Sequence, residues 1–267
     1  MRARGVDEDG YFIREGSLHR VQPEFASVVE AARAGISAAF GAELHSAYLC
    51  GSIPRGAAVP GVSDLDLLLV LRDEPGPSAR AAARALEADL DLRFPQVDGV
   101  GAGLSSVATI LSEQERYDLG WFVACLCTPL AGGDLADRLP RYRPTSLLAR
   151  ETNGDIGDRV AAWQHRLAGA RDDAALRLLS RHASRRLVRT GLTLVMPRWG
   201  GWTSDLTESA AVFGRYYPER LSQMAEAALI ARAPTADRAV LGRLIDDLGP
   251  WLAGEYRTEH GRKAVRV

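Results

Sequence analysis

The chain has 267 residues, 46% of them apolar and 25% charged, and a formal net charge of −1. That length suits one large domain or two modest ones, and the composition is that of an ordinary globular protein. The near-zero charge excludes a global field that would steer the chain to nucleic acid or to an anionic membrane.

Of the 33 basic residues Lys263 is the only lysine, and the rest are arginines. The guanidinium is the better fork for phosphate wherever it lines a site. Cys50, Cys125 and Cys127 are an odd set with one C-x-C spacing, which suits neither a disulfide framework nor a zinc site. All three lie in apolar runs, so buried, reduced thiols are expected. The start of the chain, Met1 to Gly10, is charged and unlike a signal peptide, and no apolar run is long enough to span a bilayer. A cytoplasmic protein with no membrane partner is the expectation.

In chain order, residues 1–20 read as an extended polar lead-in. Residues 23–41 have the spacing of an amphipathic helix that stops at Gly41. His45 to Cys50 is a short apolar strand, and Gly51 to Ser63 is a Gly/Pro-rich loop. Leu65 to Leu71 carries the strongest strand signal in the chain. Pro75, Gly76 and Pro77 form a turn, residues 78–93 a helix, and Val97 to Ser105 a third strand. A helix is predicted over Val107 to Cys127. Gly132 to Pro144, with Gly, Asp and two Pro, is the expected domain boundary. From about Leu147 the pattern is helical, with breaks at Pro197 to Thr203, Pro218 and Pro234. No repeat or low-complexity tract is visible.

The chemistry concentrates in Gly51 to Val70, GSIPRGAAVPGVSDLDLLLV. Strand side chains alternate, so Asp64 and Asp66 share one face while Leu65, Leu67 and Leu69 take the other. Two crowded carboxylates repel and lose hydration, a conflict that a divalent cation resolves. Hard oxygen ligands suit Mg²⁺, and two such ions about 4 Å apart would clamp the attacking and leaving oxygens of a phosphoryl displacement. Gly51 lets the backbone approach a triphosphate closely. The following amides and the Ser52 hydroxyl can donate to its oxygens. The plainer alternative is a loop followed by two surface aspartates at a strand edge.

This run resembles the signature of the polymerase-β-like nucleotidyltransferase superfamily: an apolar residue, Gly-Ser, a spacer of about a dozen residues, then Asp-apolar-Asp-apolar. Arg55-Gly56 and Ser63 also match its common form. The resemblance implies that Gly51 and Ser52 hold nucleotide phosphates and that Asp64 and Asp66 hold metals, with Arg55 and Ser63 in the nucleotide site. Relatives usually add a third Asp or Glu on a neighbouring strand, as a ligand or as the base for the attacking hydroxyl. Asp98 fills that role if the strand begins at Val97. In the apolar-Glu-apolar register of the aminoglycoside adenylyltransferases, Gly101 falls there instead. Both registers stay open. In the second, a base would come from elsewhere, for example Glu151 or Asp155.

The second half also resembles bacterial aminoglycoside (antibiotic) adenylyltransferases. These carry a basic-Arg pair on a helix, an aromatic-Thr-basic-Asp-Leu turn and an aromatic-Tyr-Pro. Arg185-Arg186, Trp202 to Leu206 and Tyr216-Tyr217-Pro218 match, as does Leu130 to Leu135 (LAGGDL) earlier. Ser204 stands where relatives have Lys or Arg. On a helix Arg185, Arg186 and Arg189 occupy one arc of about 100°, beside the apolar arc of Val188, Leu192 and Val195, and would suit a triphosphate. A solvated charged face is the alternative.

The resemblance implies an α+β fold. A nucleotidyltransferase α/β domain with a small mixed sheet would occupy residues 1–140, and an all-α helical bundle would occupy 141–267. The acceptor would bind in the cleft between them. Trp121, Trp199 and Trp202 are candidate stacking residues, although core packing is the commoner role. Glu151, Asp155, Asp158, Asp205 and Glu208 are candidates for a cationic acceptor. The implied activity is transfer of NMP, AMP first among the candidates, from Mg²⁺-NTP to a hydroxyl of a small molecule such as an aminoglycoside-like antibiotic, with release of pyrophosphate. The alternatives are nucleotide binding without turnover and nucleotidylation of a protein partner. A monomer or homodimer is expected.

Overall fold

The computed structural model describes residues 4–266. They divide into two compact units, one from Ile13 to Tyr142 and the other comprising residues 143–266 with 4–12. The sequence assigns residues 1–140 to the first unit. The structure groups the described part of 4–12 with the helical one, where Trp202 N donates to Arg4 O at 2.7 Å.

The Ile13–Tyr142 unit is built on a four-stranded mixed sheet in the order β3-β2-β1-β4. Its elements are α1 (Pro23–Phe40), β1 (Leu44–Cys50), β2 (Leu65–Leu71), α2 (Pro77–Arg93), β3 (Val100–Ser106), the short α3 (Val107–Ile110) and β4 (Thr128–Gly132). β1 is antiparallel to β2 and to β4, and β2 is parallel to β3. The parallel pair needs a crossover, which α2 supplies.

β2 is apolar on both faces because both are covered. Leu65, Leu67, Leu69 and Leu71 join the core formed with Phe25, Val28, Ile36, Leu86 and Leu90 of α1 and α2. Leu68 and Val70 join Tyr48, Ile110, Val123 and Leu135 on the other face. Each fully buried leucine contributes about 1.5–3 kcal/mol.

The helix expected over Val107 to Cys127 is broken. Ser106 caps α3 by accepting from Thr109 N. The Ser112 hydroxyl then donates to Thr109 O and accepts from Glu115 N, so a side chain replaces the helical ladder. Helix resumes only as two π-helical turns, Arg116–Gly120 and Phe122–Leu126. β4, which carries Pro129, has no counterpart in the sequence reading. Pro suits its place at the sheet edge. Residues 4–20 hold a Val6–Phe12 bridge closed by a turn, with Gly10 N donating to Asp7 O, and a 3-10 turn at Leu18–Arg20.

The other unit holds α4 (Ser146–Asn153), α5 (Ile156–Gly169), α6 (Asp173–Trp199), α7 (Leu206–Gly214), α8 (Leu221–Ile230), α9 (Arg238–Gly242), a π-helical turn (Arg243–Leu248) and α10 (Gly249–His260). α6 is the central helix and is buried along most of its length. Asp172 caps its start by accepting from Ala175 N, and Gly200 ends it in the left-handed conformation. The break expected over Pro197 to Thr203 begins at Gly200. Pro197 sits in the last turn, where the missing N–H removes one bond without splitting the helix. A buried polar network ties three helices together. Tyr256 donates to Ala149 O at 2.5 Å and meets Thr193 Oγ1 at 3.0 Å, and Asn153 donates to Thr193 Oγ1. Among the described residues no helix is long and apolar enough to cross a membrane.

Candidate functional site

β1 ends and β2 begins at the same edge of the sheet, with Cys50 opposite Asp66. Gly51 follows directly and turns the chain with φ +77°. A Cβ built on Gly51 would lie 2.4 Å from Asp66 Oδ2, so the loop backbone is pressed against the carboxylate. Only glycine gives both that angle and that approach. The loop that follows is held from below by buried Ile53, Pro54 and Ala58. Ala57 N donates to Ser52 O, and Ala58 N donates to the Gln22 side chain. The Ser52 hydroxyl has no hydrogen-bond partner among the described residues. Asp64 is half-buried and Asp66 exposed, on the face of β2 opposite Leu65 and Leu67.

The structure separates the two registers proposed for a third carboxylate. β3 begins at Val100 rather than Val97. Its parallel register sets Leu65 against Val100 and Asp66 against Gly101. A Cβ on Gly101 would have Asp66 Oδ1 as its nearest neighbour, at 4.0 Å. Asp98 precedes the strand and is exposed, and its amide donates to Ser63 O at 3.0 Å. Among the described residues no three His, Cys, Asp or Glu side chains gather to hold a metal. Asp98 therefore lies in the loop before β3 and not on the strand, which starts three residues after Val97. Loop hydrogen bonds occupy the intervening backbone, with Leu65 N donating to Gly99 O.

Two further loop residues have partners within the protein. The Ser63 hydroxyl accepts from Val59 N at 2.9 Å, closing the turn before Asp64. The Arg55 guanidinium lies 3.9 Å from Glu15. Asp134 of the LAGGDL segment receives both arms of Arg14, at 2.6 and 3.1 Å, and also Tyr48 Oη and Ala136 N. Burial alone would raise the Asp134 pKa, but Arg14 and the Ala136 amide outweigh it and hold the carboxyl below its usual range. Burial pushes the Tyr48 phenol up to about 12. This cluster fixes the ends of β1 and β4, so the match at Asp134 is a structural one. Sequence reading did not find its partner, because Arg14 lies 120 residues away.

In the helical unit, Arg185, Arg186 and Arg189 lie on α6 beside the buried Val188, Leu192 and Val195. Arg186 is bound to its own unit. It donates to Asp155 Oδ1 at 2.6 Å and to Thr152 O at 3.1 Å. Arg159 also pairs with Asp155. Burial raises the Asp155 pKa, and the two arginines more than reverse that, leaving it low. A paired, low-pKa carboxylate is a poor general base. Glu151, the other candidate base, is buried and pairs with Arg150 at 2.7 Å.

The remaining carboxylates considered for a cationic acceptor are similarly engaged. Asp205 caps α7 and pairs with Arg232, Glu208 accepts from Thr203, and Asp158 faces Arg262. The Trp202 to Leu206 turn, with Ser204 inside it, is thus built as a helix cap. Tyr217 stacks on Phe213 and meets Trp251 edge-on. Trp121, Trp199 and Trp202 are buried, at 3%, 7% and 8% exposure, which makes them packing residues rather than open platforms.

No protein-family model and no curated protein sequence matches the chain. Among solved structures it is similar to spectinomycin adenyltransferase AAD(9) from Enterococcus faecialis, determined with ATP and spectinomycin. The two share 13% identity with a TM-score of 0.54, over 86% of this chain and 98% of that one. The chain shares the fold of that structure, an α+β arrangement with a mixed four-stranded sheet and a helical C-terminal part.

Proposed function

We propose that the chain binds a nucleoside triphosphate with Mg²⁺ and transfers the nucleoside monophosphate, AMP first among the candidates, to a hydroxyl of a small molecule. The observation that carries this reading is the meeting of Gly51 and Asp66. A glycine that only a Cβ-free residue can replace lies against a carboxylate at the paired ends of β1 and β2. The fold it shares with an adenyltransferase solved with ATP and spectinomycin adds support.

Asp64 and Asp66 are hard oxygen donors and fit Mg²⁺, which when bound would neutralise phosphate charge and polarise the phosphorus centre. The Gly51 and Ser52 amides and the Ser52 hydroxyl donate to phosphate oxygens. The acceptor oxygen would bond to the α-phosphorus as the bond to the β-phosphate oxygen breaks, releasing pyrophosphate. Arg185 and Arg189 are further candidate phosphate donors, and Arg186 fixes their helix through Asp155.

A second reading, nucleotide binding without turnover, is favoured by Gly101. It leaves the level of Asp66 on β3 without a carboxylate. Calorimetric titration with non-hydrolysable ATP and GTP analogues, with and without Mg²⁺, tests the binding. Pyrophosphate release with hydroxylated acceptors then separates the two readings. Absence of Mg²⁺-dependent binding, or unchanged affinity in Asp64→Ala, would overturn both.

A further inference from the structure

Cys50 closes β1, and Cys127 immediately precedes β4. The strands are antiparallel with Leu49 opposite Thr128, so Cys50 and Cys127 are the next opposed pair. Cys127 is extended, at φ −105° and ψ 141°, and continues the strand backbone. Directly opposed residues in such a ladder have Cα atoms about 4.5–5.5 Å apart, inside the span of a disulfide. The side chains meet as well, with the two Sγ atoms 2.8 Å apart in the core. A disulfide needs about 2.05 Å, so closure asks for a small movement of two side chains.

We propose that Cys50 and Cys127 form an oxidation-sensitive dithiol that hydrogen peroxide closes to a disulfide, and that closure weakens nucleotide binding at the adjoining loop. The linkage stands on strand register and the facing sulfurs, whereas the effect on binding rests on the nucleotidyltransferase reading. Cys50 keeps 4% exposure and Cys127 none, so Cys50 meets the oxidant. Its sulfur attacks a peroxide oxygen, the O–O bond breaks, and the thiol proton leaves with the departing oxygen as water. The product is a sulfenic acid on Cys50. The Cys127 sulfur then attacks the Cys50 sulfur, the S–O bond breaks, and the Cys127 proton leaves with that oxygen as a second water. One peroxide is reduced and two thiols are oxidised.

The consequence follows from what Cys50 touches on its other side. Cys50 opposes Asp66 across the β1–β2 ladder, and Gly51 follows it against the Asp66 carboxylate. Drawing Cys50 toward β4 changes the spacing of Gly51 and Asp66. Cys125 is also buried, but it lies two residues before Cys127 and outside that opposed pair.

The test uses the full-length protein, treated with hydrogen peroxide, alkylated, and digested without reduction. The expected map joins the Cys50 and Cys127 peptides and leaves only Cys125 alkylated. Three alkylated thiols, or a link through Cys125, overturns the proposal. Reduced and oxidised protein are then titrated with Mg²⁺ and a non-hydrolysable ATP analogue. Oxidation is expected to weaken binding about tenfold, reversibly with reductant, while Cys127→Ala binds equally before and after peroxide. Equal affinity in the two disulfide states removes the functional coupling. No binding by the reduced protein overturns the nucleotide reading and leaves the mapped linkage standing.

Discussion

Gly51 and Asp66 occupy space that a single methyl group would close. With φ at +77° and the carboxylate 2.4 Å from a built Cβ, Gly51→Ala meets two costs. The left-handed backbone costs an alanine about 1–2 kcal/mol, and the carboxylate must also move. The variant is expected to unfold at lower temperature and to lose Mg²⁺-dependent nucleotide binding. Adding Asp66→Ala removes the clash and leaves the backbone term, so the double variant is expected to regain part of the lost stability and none of the binding. Thermal unfolding of the four proteins of this cycle would show it. Full additivity would mean that the two residues do not compete for the same space.

Gly101 is the reverse case. Its φ is ordinary for any residue, and among the described residues Asp66 Oδ1 is the only neighbour near its built Cβ, at 4.0 Å. Gly101→Asp is therefore expected to fold. It places a third carboxylate level with Asp66, so metal-free protein should lose stability from charge crowding. Mg²⁺ or Mn²⁺ should restore it, since binding at a hundredfold excess over Kd stabilises by about 2.7 kcal/mol. The check is the metal-induced rise in unfolding temperature, larger in the variant than in the parent. Equal rises would mean that Gly101 does not face the Asp64–Asp66 site.

The glycine, the two aspartates and the leucine alternation of β2 were legible because each is a local signal. The strand period assigns faces, and a Gly before a loop marks a close approach. Which residue of the third strand stands level with Asp66 is not legible, because it depends on where β3 starts. That start is set by hydrogen bonds from Leu65 and Asp98 to residues far away in sequence. The Cys50–Cys127 pair was hidden for a similar reason. Cys127 was placed on a helix, and the edge strand after it has a Pro and only five residues. The helical arc and the family resemblance make Arg186 a candidate phosphate ligand. Its commitment to Asp155 becomes visible only when α4, α5 and α6 are packed.

Arg14 and Asp134 tie the entry of the first unit to the end of β4. Asp134→Ala removes both Arg14 bonds and the Ala136 cap, and strands a partly buried guanidinium. The expected loss is about 2 kcal/mol, measured by denaturant midpoint at constant slope. Asp134→Asn keeps the cap acceptor but loses the charge and should fall between the two. If Asp134→Asn matches the parent, the charge of Asp134 contributes nothing.

Asp155 makes a pH prediction with a defined sign. Its folded pKa lies below the unfolded value of about 3.9, because Arg186 and Arg159 favour the carboxylate over the opposing effect of burial. The stabilisation is therefore complete above pH about 4 and is lost as pH falls through the lower folded value. Between neutral pH and the acid limb, Asp155→Ala should be less stable than the parent by about 2 kcal/mol, and the gap should close once both proteins are well below that folded value. Arg186→Ala should couple to it in a double-variant cycle, because the two share the bond at 2.6 Å. Unfolding followed by circular dichroism across the acid range reads both effects. A gap that stays constant with pH would show that Asp155 acts through packing and not through its charge.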